Sequence, residues 1–128
     1  MQFKPTTAIY EQIAAMIEDS VLSTELNEDD RLPSVRQLAT DVQVNPNTVQ
    51  RTFQVLQDRG VADKQRGVGY FVASGARQRI LQRRRKRFEQ YVLPEQFRNL
   101  ALLGFTAEEL AEHYERYLTE NRPAQAAA

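Results

Sequence analysis

The sequence predicts a mainly α-helical protein with one small β-hairpin, an α+β chain in which three helices and the hairpin precede a further pair of helices. Three observations lead there. Apolar residues recur at three- and four-residue steps along most of the chain, whereas residues 61–72 change to a strand-like pattern. Ser34, Asn45 and Thr106 each stand at the head of a helical pattern, where a side-chain oxygen can satisfy free backbone amides. A length of 128 residues allows one ordinary domain plus a short extension, and 41% hydrophobic residues are enough for a modest core.

The first helical pattern runs from about Thr7 to Leu22, with Ile9, Ile13, Met16, Ile17 and Val21 on one side and Glu11, Glu18 and Asp19 on the exposed side. It stops before the polar turn Asn27-Glu28-Asp29-Asp30. A second helix starts at Pro33-Ser34, where Ser34 and Gln37 have the spacing of a capping box, and it buries Leu38, Ala39 and Val42. Only Gln43 and Val44 separate it from a third start, with Asn45 as N-cap and Pro46 at the first helical position. Val49, Phe53 and Leu56 then form one apolar stripe that closes at Gly60, a residue suited to a left-handed C-cap. Residues Ala62 to Arg66 and Tyr70 to Val72 read as two strands around a Gly67-Val68-Gly69 turn.

Helical spacing returns from about Ala76, with Ile80, Leu81, Phe88, Tyr91 and Val92 on one side of an arginine-rich helix that Pro94 should break or kink. Gly104-Phe105 makes a turn, and Thr106 with Glu109 is a capping box that opens a last helix sharing Leu110, Tyr114, Tyr117 and Leu118 on one face. Asn121-Arg122-Pro123 should end it, and the tail Ala124 to Ala128 should fray.

Composition excludes several kinds of chemistry. The absence of cysteine removes disulfides, a thiolate zinc site and a cysteine nucleophile, and the single His113 removes a His-rich metal site. His113 beside Tyr114 has no nucleophile pattern around it, and the crowding of Glu108, Glu109, Glu112 and Glu115 near a helix start fits the macrodipole better than a metal site. No enzyme activity, cofactor or metal is expected. MQFKPTT lacks the apolar stretch of a signal peptide, and runs such as Leu100 to Leu103 are far too short for a bilayer, so a cytoplasmic protein with no membrane partner is expected.

The equal totals of 17 basic and 17 acidic residues conceal a segregated charge. Residues 1–30 carry one Lys against seven carboxylates, net −6; residues 31–98 carry 14 Lys and Arg against five, net +9; residues 99–128 carry two against five, net −3. A basic centre between acidic ends fits a polyanion partner better than the pI near 6.6 does.

Three helices and a terminal hairpin, with a tight turn between the second and third helices, form the layout of a winged helix-turn-helix, in which the third helix enters the DNA major groove. Opposite its apolar stripe lie Asn47, Gln50, Arg51 and Gln54. Amides pair in bidentate fashion with adenine, and Arg pairs with guanine or phosphate. A protein-interaction module on the same fold, without DNA readout, is the alternative; it would need no such face.

Three ordered blocks carry a family resemblance: Leu32-Pro33-Ser34-Val35-Arg36-Gln37-Leu38-Ala39, Val44-Asn45-Pro46-Asn47-Thr48-Val49-Gln50-Arg51, and Arg66-Gly67-Val68-Gly69-Tyr70-Phe71-Val72. Together with Ile9-Tyr10-Glu11-Gln12-Ile13, they resemble the DNA-binding domain of GntR-family bacterial transcription regulators over about residues 6–73. The VNPNTVQR form and the short C-terminal region resemble the YtrA subfamily. The resemblance implies that Arg36 contacts phosphate or base, that Asn47, Thr48 and Gln50 sit at the base-reading start of the third helix, and that Arg66 and Gly67 border the minor groove at the wing tip. Ser34 is read as a cap and not a reader. Where the family has a Gly before its LPS block, this chain has Glu28-Asp29-Asp30, and an Asp there can accept a left-handed conformation.

These features predict a winged helix-turn-helix DNA-binding domain over residues 1–74 and a helical dimerisation segment over 75–128. The latter is too short for a large ligand-binding domain. Leu100, Leu103, Leu110, Tyr114, Tyr117 and Leu118 exceed what two short helices can bury against each other, and the resemblance implies a homodimer formed through them. The expected function is a sequence-specific transcriptional regulator, a repressor on a palindromic double-stranded DNA operator. The run Arg83 to Arg87 either grips flanking phosphates or stays solvated, and a small-molecule effector stays an open question at this point.

Overall fold

The computed structural model describes residue 3 and residues 5–122; Pro123 and the tail 124–128, expected to end the last helix and fray, lie outside them. The elements are α1 (Ile9–Leu22), α2 (Val35–Val42), α3 (Pro46–Asp58), β1 (Ala62–Gln65), β2 (Gly69–Val72), α4 (Ala76–Tyr91), α5 (Leu93–Leu102) and α6 (Ala107–Glu120). The chain divides into two compact units, residues 1–83 and 84–128. The division therefore lies inside α4, later than the expected boundary at residue 74.

In the first unit, α3 packs on α1, α2 and β1. Its core stripe Val49, Phe53 and Leu56 is fully buried against Ile13, Ala14 and Ile17 of α1 and Leu38, Ala39 and Val42 of α2. Local chemistry sets the helix starts. Ser34 Oγ accepts the Gln37 amide at 3.0 Å, and Asn45 Oδ1 accepts the Asn47 amide at 2.8 Å with Pro46 in the first turn. The box expected at α2 forms only in half, because the Gln37 side chain donates to Asp41 Oδ1 at 2.8 Å one turn on. The turn into α3 passes through Gln43 at φ 58°, and Gly60 at φ 72° follows the end of α3.

Glu18 departs from the sequence reading. It was expected on the exposed side of α1, yet it is only 1% exposed. Arg83 of α4 pairs with both its oxygens, and Arg59 lies 3.7 Å away and also bonds Glu11 at 2.8 Å. A buried carboxylate persists where cations satisfy its oxygens.

The hairpin pairs Ala62 with Val72, Asp63 with Phe71, Lys64 with Tyr70 and Gln65 with Gly69. Val68 N–H donates to the Gln65 carbonyl at 3.0 Å, which closes the turn one residue earlier than expected and puts Arg66 in the turn, not in the strand. Gly67 occupies that turn at φ 77°, a conformation that side chains disfavour. A feature absent from the sequence reading joins the hairpin on its other edge. Residues 29–32 run beside β2, with Asp29 N–H to the Val72 carbonyl, Val72 N–H to Asp30, and Leu32 N–H to Tyr70, each at 2.8 Å. Asp29 takes φ 72°, so this chain does use an Asp in the left-handed position.

The start of α4 belongs to the first unit. Ala76 and Ile80 are buried in its core, Arg79 bonds the carbonyls of Gly60 and Ser74 at 2.8 and 2.7 Å, and Arg77 bonds the carbonyl of Leu22. In the second unit α4 stops at Tyr91 and α5 restarts at Leu93 with Pro94 in its first turn, so the proline breaks the helix. Gly104 turns at φ 79°, and the Thr106–Glu109 capping box opens α6 with both reciprocal bonds formed. Among the described residues, α5 and α6 bury none.

Candidate nucleic-acid interface

Helix α3 has its inner face locked into the core, so its outer face is presented in a fixed orientation. Phe53 stacks on Tyr70 of β2 with ring centroids 4.4 Å apart and planes 22° apart, which ties the wing to the same helix. The hydroxyl of buried Thr52 lies 3.0 Å from the Tyr10 carbonyl and 3.1 Å from the Thr48 carbonyl, joining α3 to α1.

On the outer face, Asn47, Gln50, Arg51 and Gln54 are all exposed, Gln50 and Arg51 each lying three or four residues from both Asn47 and Gln54, as expected from the sequence. They differ in freedom. The side-chain amides of Asn47 and Gln50 bond no other group among the described residues. Gln54 donates to Asp58 Oδ1 at 3.0 Å, and Arg51 stacks on Tyr10 with its guanidinium carbon 3.9 Å from the ring centroid. Thr48 is half-buried at the start of the helix, leaving Asn47 and Gln50 the more accessible amides. Two unengaged amides near a helix start can offer paired donors and acceptors to base edges.

The remaining expected contacts lie on other elements of the same unit. Arg36 is exposed in the first turn of α2, and Arg66 and Gly67 are exposed at the wing tip. Arg31 braces that tip, its guanidinium donating to the Val68 carbonyl at 2.6 Å, and Lys64 is an exposed cation on β1. Neither was singled out from the sequence. Their only signal there was membership of the basic centre. Tyr10 belongs to the first family block, but nothing local in the sequence links it to Arg51, 41 positions away.

The residues expected to dimerise lie on the second unit and stay largely uncovered. Leu103 is 75% exposed, Tyr114, Tyr117, Leu110 and Leu118 are also exposed, and only Leu100 is half-buried. His113 packs its ring edge-on against Phe105 at 5.8 Å. Among the described residues no helix is long and apolar enough to cross a membrane.

Residues 9–72 match the family model for bacterial regulatory proteins of the gntR family. The HTH-type transcriptional regulator YhcF of Bacillus subtilis (strain 168) is 37% identical over 111 residues, covering 87% of this chain and 90% of that protein. The HTH-type transcriptional repressor YtrA of the same organism is 34% identical over 79 residues, covering 62% of this chain and 61% of its own length. A crystal structure of a GntR-family transcriptional regulator from Bacteroides thetaiotaomicron is 37% identical, with a TM-score of 0.71 over 90% of this chain and 100% of that one. Because the matched span runs from the start of α1 to the end of β2 and so includes α3 and the hairpin, the chain belongs to the GntR family of bacterial regulatory proteins, as a DNA-binding transcription regulator and not an enzyme.

Proposed function

We propose that the protein is a cytoplasmic repressor of the YtrA type that binds a palindromic operator as a homodimer. The observation that carries the readout is the pair of unengaged amides, Asn47 and Gln50, on a helix whose other face is anchored by Val49, Phe53 and Leu56. In this reading Asn47, Thr48 and Gln50 discriminate bases, Arg36, Arg51 and Gln54 contribute along the rims of the groove, and Arg66 and Gly67 approach the minor groove. Likeness to a protein named as a repressor supports the negative sign of regulation.

The make-up of residues 84–128 supports the homodimer. Below about 40 residues a unit usually needs disulfides, metals or association to hold a fold, and this unit is only a little longer. This one has no cysteine, and its α5 and α6 bury no described residue, while Leu103 just after α5 and Leu110, Tyr114, Tyr117 and Leu118 of α6 are exposed. A second copy supplies a matching apolar face by symmetry, and a two-fold protein suits a palindromic site.

Nuclease protection of a promoter fragment by the purified protein, with its mass in solution measured in parallel, tests the proposal. A symmetric footprint of two half-sites bound by a dimer is expected. Protection of a single half-site by a monomer overturns the dimeric reading, and absence of any sequence-selective protection on a genomic fragment library overturns the operator reading.

A further inference from the structure

We propose that Tyr10, which lies on α1 outside the helix-turn-helix, is a positioning residue that preassembles Arg51 as a clamp for a DNA backbone phosphate. Arg51 then supplies sequence-blind affinity and reads no base. The proposal rests on the reading of α3 as the DNA-facing helix.

Both halves of the clamp are anchored. The guanidinium carbon of Arg51 lies 3.9 Å from the Tyr10 ring centroid, and its Nη2 donates to the Tyr10 hydroxyl oxygen at 3.3 Å. The backbone of Tyr10 is held in turn by Thr52, the neighbour of Arg51, whose hydroxyl lies 3.0 Å from the Tyr10 carbonyl. Ring and guanidinium are thus referenced to the same turn of α3. Arg carries about 2 kcal/mol of rotamer entropy when free, and a side chain already held against a ring loses less of it on binding.

What remains available on Arg51 suits a phosphate. Guanidinium has five N–H donors; one meets the tyrosine oxygen, one face meets the ring, and the rest of its planar edge is open. That fork matches the oxygen spacing of a phosphate. Reaching into the groove for guanine would require the side chain to leave the ring and lose both contacts. Asn47 and Gln50 carry no such tether, so the outer face divides into two free readers, one fixed cation and Gln54, which is held by Asp58.

Binding of Tyr10→Leu, Tyr10→Phe, Arg51→Ala and the Tyr10→Leu/Arg51→Ala double variant to the protected operator and to a scrambled duplex separates the possibilities. An exposed stack of this kind is worth about two- to fivefold, which bounds the loss that Tyr10→Leu can cause through Arg51 in each bound protomer. The expected result is that loss on both duplexes, near-normal binding by Tyr10→Phe, and no further loss when Tyr10→Leu is added to Arg51→Ala. Arg51→Ala should also lower the slope of log affinity against log salt by about 1 per protomer. An equal Tyr10→Leu effect in the Arg51→Ala background, or an Arg51→Ala loss confined to the operator, overturns the clamp. Failure of the wild-type chain to bind either duplex at low salt overturns instead the DNA-facing assignment of α3.

Discussion

Gln50 and Arg36 are both exposed polar side chains of the helix-turn-helix, but they should fail differently. Gln50→Ala removes a group able to pair with a base edge, so about 1–3 kcal/mol of discrimination should disappear at one operator position while scrambled DNA binds as before. Arg36→Ala removes a cation at the flank of α2, so operator and scrambled duplexes should weaken together. Competition titrations at one salt concentration read both, and parallel losses for Gln50→Ala would remove it from the readers. Asp29, at φ 72°, offers a second single-residue test. A β-branched side chain there meets the full left-handed penalty, so Asp29→Val should destabilise by about 1–2 kcal/mol in urea unfolding while Asp29→Gly stays close to wild type. A Val variant as stable as the Gly variant would mean that the backbone relaxes out of this turn.

At the scale of elements, what was legible in the sequence follows from how local each cause is. Ser34, Asn45 and the Thr106–Glu109 pair cap helices through residues two or three positions away, so spacing alone exposes them. Glu18 was misplaced because its partners are 41 and 65 residues distant, and a helical wheel of α1 contains no information about Arg59 or Arg83. The edge pairing of residues 29–32 with β2 and the contact of Tyr10 with Arg51 stayed hidden for the same reason. The Glu18–Arg83 pair also yields a directional prediction. Removing Arg83 takes the nearest cation from the buried Glu18 carboxylate and leaves Arg59 at 3.7 Å, so Arg83→Met should destabilise the first unit, by less than the about 3 kcal/mol of a fully uncompensated buried charge. Adding Glu18→Leu removes the under-compensated charge and should restore most of that loss, because an apolar pair of similar volume replaces the ionic one. Chemical denaturation of the single and double variants checks the sign; additive losses would show that the pair acts independently.

For the whole molecule, the two units should respond separately to disruption of the second. In Leu103→Glu/Tyr117→Glu, one charge falls on the exposed residue that follows α5 and one on α6, so sedimentation should report a monomer and operator affinity should fall by at least tenfold, on the order of 1.4 kcal/mol lost for each factor of ten. The unfolding transition of residues 1–83 should be little changed, because their core of Ile13, Val49, Phe53 and Leu56 contains neither position. A dimer that persists with intact affinity would assign pairing to another surface.

The uncovered leucines and tyrosines of the second unit also bear on how the cell would meter such a switch. Where pairing precedes operator occupancy, the active form grows with the square of chain number while copies are scarce. Halving synthesis would then cut occupancy about fourfold in the dilute limit, a steepness that mass action supplies without any effector.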